Sequence, residues 1–206
     1  MNERVDAYFS QLRGKRVVLC KCGVGKVNAA VCAQTMLLNW PIRLLVNSGV
    51  AGALRQPLEI GDIVVATDLV QHDVDTTAMG DPIGLVSTVN QINFRCAEWA
   101  VQRLTKAARE VTDVRIVPGR IATGDQFITD KDVKDRIVRN FNAYACEMEG
   151  GAIAQTCFIN GVDCAVIRAI SDSSSGQHHM EYMEFMPMAA QNSANVVLKF
   201  LETIQY

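Results

Sequence analysis

Several features that would decide the class of this protein at once are missing from its 206 residues. No apolar run approaches the length of about 18 residues that a membrane-spanning helix needs. The polar start, MNERVDAYFSQLRGKR, does not have the form of a signal peptide. No basic stripe is present and the formal net charge is −2, which argues against a nucleic-acid partner. These absences predict a cytoplasmic protein that binds neither membranes nor nucleic acid.

The seven cysteines contain no Cys-x-x-Cys pair, and their number is odd. Most of them lie inside apolar runs, so we expect reduced, buried thiols rather than a disulfide framework. No linker, repeat or low-complexity segment divides the chain, and apolar residues make up 49% of it. The sequence therefore predicts a single domain over residues 1–206, with ample material for a core.

Strand-like and helix-like segments alternate along the chain. Apolar strands are predicted at 16–22, 42–49, 61–73, 114–125, 143–149 and 162–172, and helices at 26–40, 92–110, 131–141, 150–161 and 181–204, the last beginning either at 181 or after Pro187. This alternation predicts an α/β fold of three layers, a central mixed β-sheet flanked by helices. Ligands bind beyond the carboxyl ends of strands in such sheets, so GVGK, NSGVAG, TGDQF, EMEGG and SDSSSG are candidate site segments.

The stretch ACEMEGGAIA, residues 145–154, places two carboxylates at the end of an apolar strand. Side chains alternate along a strand, so Glu147 and Glu149 are expected to point the same way. Two like charges on one face are costly unless something outside binds them. Gly150 and Gly151 then break the strand, and the combination indicates a site.

A third carboxylate ends another apolar strand. Asp172 follows VDCAVIRAIS, and a carboxyl group beside apolar surface has a raised pKa that can keep it protonated near neutral pH. Such a group can act as a general acid toward a nitrogen leaving group. The alternative is a helix or loop cap, which is equally consistent with the sequence.

Other motifs in the chain favour ordinary turns and loops. GVGK does not fit a P-loop, because Cys20 and Val27 stand where Gly and Ser or Thr are needed. NSGVAG is predicted to be a loop after a strand, either approaching a sugar closely or forming a plain turn. His72, Asp73 and Asp75 match no known metal-ligand spacing, so a polar loop is favoured over a metal site. A Ser–His–Asp hydrolase is disfavoured because no GxSxG elbow exists.

Seven segments together resemble one enzyme family. GVGKVNAA, NSGVAG, GDIVVA, QHDVDTTAMG, TGDQFI, EMEGGAIA and RAISD are similar to the 5′-methylthioadenosine/S-adenosylhomocysteine nucleosidases, which belong to the purine nucleoside phosphorylase superfamily. The similarity runs from about residue 8 to the C-terminus. It implies a nucleoside phosphorylase-like fold and hydrolysis of the N-glycosidic bond of a small purine nucleoside, with release of adenine in methionine salvage.

The resemblance also implies a role for individual residues. Glu149 would grip the ribose hydroxyls above Met148, and Asp172, oriented by Ser171, would protonate the purine at N7. The base would stack on Phe127, and the backbone of Ile128 would read its polar edge. The apolar pocket for the 5′-alkylthio group would be lined by Val24, Met79 and Phe185. Met79 would come from a second subunit, which implies a homodimer; no cofactor and no metal are implied.

The start of the chain departs from the family pattern. Members of the family begin with a central strand of the type IGIIGAM, followed by a glutamate that activates the attacking water. MNERVDAYFSQLRGK instead corresponds to a later strand pair, so that strand and that glutamate have no counterpart here. Loss of a general base typically costs about 10²–10⁴ in rate. We therefore expect either a nucleosidase of full or residual activity, or an impaired homologue that binds nucleosides. A phosphate-dependent phosphorylase is a third possibility, disfavoured because GVGKVNAA contains no arginine.

Overall fold

The computed structural model describes residues 7–174 and 178–204, and the side chains of this second range from residue 182 onward. Among these residues there are eight strands, β1 (Ala7–Leu12), β2 (Lys15–Cys20), β3 (Leu44–Ala53), β4 (Ile63–Gln71), β5 (Asn93–Arg95), β6 (Ile116–Thr123), β7 (Ala145–Glu147) and β8 (Asp163–Asp172). The five α-helices in the same part of the chain are α1 (Lys26–Asn39), α2 (Glu98–Val111), α3 (Lys131–Phe141), α4 (Gly150–Asn160) and α5 (His178–Thr203). A short 3₁₀-helix covers Thr77–Met79.

The main sheet has six strands in the order β5-β4-β6-β7-β3-β8 and contains parallel and antiparallel pairs. β8 also pairs with β4, antiparallel, so five of the strands close into a ring. The helices flank this sheet, and α5 packs on β8 and β3 while α4 packs against α1. The prediction of an α/β fold with a mixed sheet between helices is confirmed; the closure through β8 was not predicted.

The hairpin of β1 and β2 forms a separate two-stranded sheet. Its strands pair antiparallel along all six positions, from Ala7 with Cys20 to Leu12 with Lys15. The predicted strand at 16–22 therefore exists, and so does the strand pair expected near the start of the chain. The expectation that this strand belongs to the main sheet is wrong, because among the described strands β2 pairs with β1 alone.

Three other local predictions need correction. The segment 92–110 is not one helix, since residues 93–95 pair with β4 before α2 begins at Glu98. NSGVAG is not a loop, because small residues let β3 continue to Ala53 between β7 and β8. The last helix is not delayed by Pro187, which lies inside α5.

Helix ends follow local chemistry where the sequence supplies it. Asp130 caps α3, its carboxylate accepting a hydrogen bond from the N–H of Val133 at 3.0 Å. Gly161 ends α4 in the left-handed conformation, at φ 65°, as its position after the apolar run predicts. Within the described residues, no helix is both long and apolar enough to cross a bilayer.

Candidate functional site

The carboxyl ends of β7 and β8 meet on either side of one glycine. In the sheet register Gly52 of β3 pairs with Cys146 of β7 and with Asp172 of β8. Adjacent strands lie about 4.8 Å apart, so the backbones at Cys146 and Asp172 are roughly 10 Å apart. A Cβ on residue 52 would lie 2.7 Å from Oδ2 of Asp172, a distance that leaves no room for a side chain there. Gly52 thus allows the end of β7 and the Asp172 carboxyl group to share one edge of the sheet.

Glu147 is a buried structural carboxylate. It accepts hydrogen bonds from the N–H groups of Glu149 (2.9 Å) and Gly150 (2.7 Å), from the hydroxyl of Thr123, and from the guanidinium of Arg168. These four bonds compensate the cost of burying its charge. They also turn the chain from β7 into α4, so the role of Glu147 is to shape the site.

Glu149 lies in the turn after β7 and not on the strand, which ends at Glu147. The prediction that both glutamates lie on one strand is therefore wrong, although both carboxylates contact Arg168. Oε1 of Glu149 accepts a hydrogen bond from the N–H of Gly25 at 2.8 Å, and Oε2 lies 3.5 Å from Nη2 of Arg168. Burial raises the pKa of Glu149, and the neighbouring guanidinium opposes that shift.

Arg168 is the group outside the strand that binds the two glutamates. It is buried in the middle of β8 and also donates to the amide oxygen of Asn47, while its Nε has no hydrogen-bond partner among the described atoms. Sequence reasoning missed Arg168 and Asn47. The available signal was an arginine inside the apolar strand VDCAVIRAISD, since a buried arginine must find a carboxylate.

Gly150 and Gly151 allow a close approach of α4 to its own sheet. A Cβ on Gly150 would lie 2.5 Å from Cδ2 of Leu69, and one on Gly151 would lie 2.8 Å from Oγ1 of Thr123. That hydroxyl accepts the N–H of Gly151 at 2.7 Å and donates to Glu147. The two glycines therefore bring the start of α4 against β4 and β6.

Asp172 is 2% exposed at the end of β8. Its Oδ1 accepts a hydrogen bond from the hydroxyl of Ser171 at 2.9 Å. The buried ammonium of Lys134 lies nearby, donating to the carbonyls of Ala53 (3.2 Å) and Ser173 (2.9 Å). The carboxyl group of Asp172 is therefore shielded from bulk water.

A second charged network fixes the glycine turn before α1. The ammonium of Lys26 contacts Oδ1 of Asp73 at 2.7 Å, and its N–H donates to Oδ1 of Asp125 at 2.7 Å. The N–H of Asp125 donates to Asp73 at 2.9 Å. Burial would raise the pKa of Asp73, but these donors hold it below its usual value. Asp73 therefore acts in an ion pair, and among the described residues no group of three His, Cys, Asp or Glu is placed to hold a metal.

The remaining predicted site residues differ in burial. Ile128 is buried in a small apolar cluster, and Met148 and Phe185 are half-buried. Phe127 is 47% exposed and meets the ring of Tyr182 edge-on, with centroids 5.5 Å apart. Val24 and Met79 are 67% and 82% exposed, so most of each side chain is free of its own chain.

All seven cysteines are free thiols, and five are buried while Cys20 and Cys22 are half-buried.

Comparison with known proteins gives one consistent result. A sequence profile of the Phosphorylase superfamily matches residues 2–202. The aminodeoxyfutalosine nucleosidase of Campylobacter jejuni is 39% identical over 96% of this chain and 85% of its own, and the 5′-methylthioadenosine/S-adenosylhomocysteine nucleosidase of Treponema pallidum is 36% identical over 96% and 82%. The crystal structure of the latter kind of nucleosidase from Neisseria meningitidis, in complex with methylthio-immucillin-A, superimposes with a TM-score of 0.93 at 35% identity, over 98% of this chain and 87% of that one.

Proposed function

Because the chain belongs to the phosphorylase superfamily and its relatives are nucleosidases, we propose that it hydrolyses the N-glycosidic bond of 5′-methylthioadenosine or S-adenosylhomocysteine and releases adenine. One observation carries the proposal. Glu149 and Asp172 stand at the ends of neighbouring segments on either side of Gly52, one half-buried and the other fully buried. This arrangement suits a ligand with a polar sugar at one end and a nitrogen base at the other.

Glu149 is the proposed ribose ligand. One of its oxygens accepts a hydrogen bond from the N–H of Gly25. The carboxylate has further lone pairs that can accept hydrogen bonds from two sugar hydroxyls. Charge-assisted hydrogen bonds of this kind are stronger than neutral ones. A carboxylate at the sugar also stabilises the positive charge that develops on the ring as the glycosidic bond breaks. Met148, next in the same turn, is the proposed contact beneath the sugar.

Asp172 is the proposed general acid. Its carboxyl group is 2% exposed, and the hydroxyl of Ser171 fixes the direction of that group. We propose that the base stacks on the ring of Phe127. The backbone of Ile128 is proposed to form hydrogen bonds with the polar edge of the base. The exposed part of Phe127 and the buried side chain of Ile128 are compatible with these roles.

The reaction balances with water as the only co-reactant. A water oxygen forms a bond to C1′ of the ribose, the C1′–N9 bond breaks with its electron pair passing to the purine, and Asp172 delivers a proton to N7. The attacking water releases one proton to the surrounding water, and the Asp172 carboxylate takes one back from it, so the carboxyl group is restored after each turnover. Glu147 is unsuited to accept the proton of the attacking water, because its carboxylate is already engaged by four donors.

The 5′-alkylthio pocket is proposed to form in a homodimer. Val24, Met79 and Phe185 are its proposed lining, and the high exposure of Val24 and Met79 favours completion by a second copy. An exposed apolar stripe near this region lies on α1 at Val27, Val31 and Leu38, beside Phe158 and Ile159 of α4. We propose that this stripe is the dimer interface.

A cytoplasmic location is proposed from the seven free thiols.

The decisive experiment is the release of adenine from 5′-methylthioadenosine by the purified chain, with and without phosphate. Release that does not depend on phosphate supports the proposal. Release only with phosphate would identify a phosphorylase, and no release combined with binding of the nucleoside would identify an impaired homologue. The relative from Campylobacter jejuni favours aminodeoxyfutalosine as a second substrate, which the same assay tests in parallel.

A further inference from the structure

Three of the seven cysteines line one cavity beside the first turn of β8 into the sheet. They are Cys96, which comes just before α2, Cys157 near the end of α4, and Cys164, the second residue of β8. The cavity has a volume of about 290 Å³, and the other four cysteines are not part of its lining. These three residues are called the thiol cluster below.

The backbone places Cys96 opposite Cys164. The N–H of Ala97 donates to the carbonyl of Cys164 at 2.8 Å, and Sγ of Cys164 lies 3.9 Å from the carbonyl oxygen of Arg95. The residues on both sides of Cys96 therefore contact Cys164, and the two thiols are hydrogen-bonded to each other. Segments joined by backbone hydrogen bonds lie about 5 Å apart, which is within the Cα separation that a disulfide needs.

Cys157 approaches Cys164 from the end of α4. The chain reverses at Gly161, and the N–H of Val162 donates to the carbonyl of Cys157 at 3.0 Å. Hydrogen bonds from Cys157 and from Cys96 lower the pKa of Cys164, whereas its hydrogen bond to Cys164 and its burial raise the pKa of Cys96. Cys164 is thus the thiol with thiolate character, and the thiolate is the reactive form of cysteine.

The cavity gives a small oxidant access to the thiol cluster. The three side chains themselves are at most 7% exposed. The lining also contains Arg95, Gly161 and Asp163, which are exposed, so the cavity communicates with solvent. Among the described residues no group of three metal-binding side chains is placed to hold a metal ion, so the chemistry that the cluster offers is oxidation.

We propose that this cavity is a site of oxidative modification, at which hydrogen peroxide converts the thiols of Cys96 and Cys164 into a disulfide. The Cys164 thiolate attacks one peroxide oxygen, the O–O bond breaks, and the departing hydroxide takes up the proton that Cys164 lost. The sulfur of Cys96 then attacks the resulting sulfenic acid, the S–S bond forms, and the S–O bond breaks with release of water. Two thiols lose two electrons and two protons, and the peroxide becomes two water molecules.

The crosslink would join residues that are 68 positions apart in the chain (164 − 96). It restricts the unfolded chain, so the oxidised protein should have a Tm higher by about 5 °C or more. Cys164 and Asp172 lie eight residues apart on β8 (172 − 164), or roughly 26 Å along the strand. The modification therefore lies away from the proposed nucleosidase site and goes beyond that function.

The test is a disulfide map of the full 206-residue chain after treatment with hydrogen peroxide. The remaining thiols are blocked with iodoacetamide in denaturant without reductant, and the chain is cut with trypsin and endoproteinase Asp-N. Because Asp-N cuts before Asp163, fragment 163–168 carries Cys164 as its one cysteine. Mass spectrometry should find fragment 96–103 joined to fragment 163–168, lighter by two hydrogen atoms than the two free fragments together.

Two serine variants form a matched pair. Cys96→Ser should lose the crosslink completely, because a hydroxyl cannot form a disulfide. Cys32→Ser also removes a buried thiol, but one outside the cavity, and should form the crosslink like the parent. Circular dichroism shows whether each variant is folded, and Cys96→Ala is a second variant at the same position. The map of the parent chain needs neither variant.

Three results would overturn the proposal. Fragment 96–103 joined to fragment 140–162 would make Cys157 the partner. Conversion of Cys164 to the sulfinic acid without a crosslink would show that Cys96 does not reach it. A crosslink that forms only in denaturant would show that the folded cavity is not the site. None of these measurements needs turnover, so failure here is separate from failure of the proposed nucleosidase activity.

Discussion

Gly49 and Arg168 are partners across the β3–β8 ladder, and a Cβ on residue 49 would lie 2.3 Å from Nη1 of the guanidinium. Arg168 has little freedom to move away, because Glu147 and Asn47 bind its other terminal nitrogen. The absence of a side chain at position 49 is therefore what allows the arginine to lie flat against β3 and reach both glutamates.

Gly49→Ala should displace Arg168 from the glutamates. We expect a loss of about 1–3 kcal/mol in the free energy of unfolding, the usual cost of overpacking, together with weaker nucleoside binding. Urea denaturation followed by circular dichroism and a binding titration measure the two effects. Ser48→Ala, at the neighbouring position, should lose only the hydrogen bond to Ser193 and keep binding. Full retention of both properties by Gly49→Ala would mean that Arg168 has another position available.

Glu147→Gln should be strongly destabilising. The change leaves the Arg168 charge buried without its main partner, which typically costs about 3–5 kcal/mol, or roughly 6–20 °C in Tm for a protein of this size. Asp135→Asn breaks the exposed Lys131–Asp135 pair and serves as the control, with little expected change. Differential scanning calorimetry compares the two. Similar Tm values for both variants would contradict a structural role for Glu147.

Asp172→Asn should abolish the release of adenine and leave the oligomeric state unchanged, because an amide cannot protonate the leaving base. Asp163→Asn, at the opposite end of β8, is the matched control. Its amide oxygen can still accept the hydrogen bond from Trp99, so turnover should persist. Turnover by Asp172→Asn at the parental rate would remove the assignment of the general acid.

Glu149→Gln should weaken binding of ribosides but not of free adenine, which isothermal titration calorimetry distinguishes. The variant also tests the pKa of Glu149, which burial raises above its ordinary value. A raised pKa means that the folded state binds the proton more tightly than the unfolded state. The stability contributed by protonated Glu149 is thus complete below the unfolded pKa and is lost as pH rises through the folded pKa.

Stability measured against pH should therefore differ between parent and variant. Starting near the ordinary pKa of 4.5 for this carboxyl group, the parent should lose stability relative to Glu149→Gln as the pH rises. Parallel curves over that interval would show that the carboxyl group is not perturbed in the folded protein.

Val31→Glu should dissociate the proposed dimer, since it places a charge within the apolar stripe of α1. Sedimentation velocity measures the effect, and a shift from dimer to monomer is expected. Val111→Glu adds the same charge to another exposed valine, on α2, and should leave the dimer intact. Identical sedimentation of both variants would place the interface elsewhere.

The pattern of apolar segments was sufficient to predict the class of the fold, because buried strands and amphipathic helices have different periods. The pattern was insufficient where pairing between strands determines the local structure. Residues 93–95 read as the start of a helix, yet β4 offers them an edge. NSGVAG reads as a turn, yet its small residues fit between two strands that only the folded chain brings together.

The candidate site shows the same division. Ser171 and Asp172 stand at the end of a strand, as the sequence predicted. Glu149 was predicted on a strand and lies in the turn that follows it. Arg168 was missed because a single charged residue in an apolar strand gives no indication of its partner, 21 residues before it in the case of Glu147. The function of Glu147 as a cap and ion-pair partner depends on Thr123, a contact that no local pattern encodes.

Because β8 pairs with both β3 and β4, the positions of its residues are fixed from two sides. Arg168 faces Gly49 in one ladder and Val64 in the other, and the two ladders run in opposite senses. A strand held in this way cannot slide along one neighbour without breaking its bonds to the other. The positions of Arg168 and Asp172 along β8 are therefore set by backbone pairing. Side chains around them can change without moving either charge.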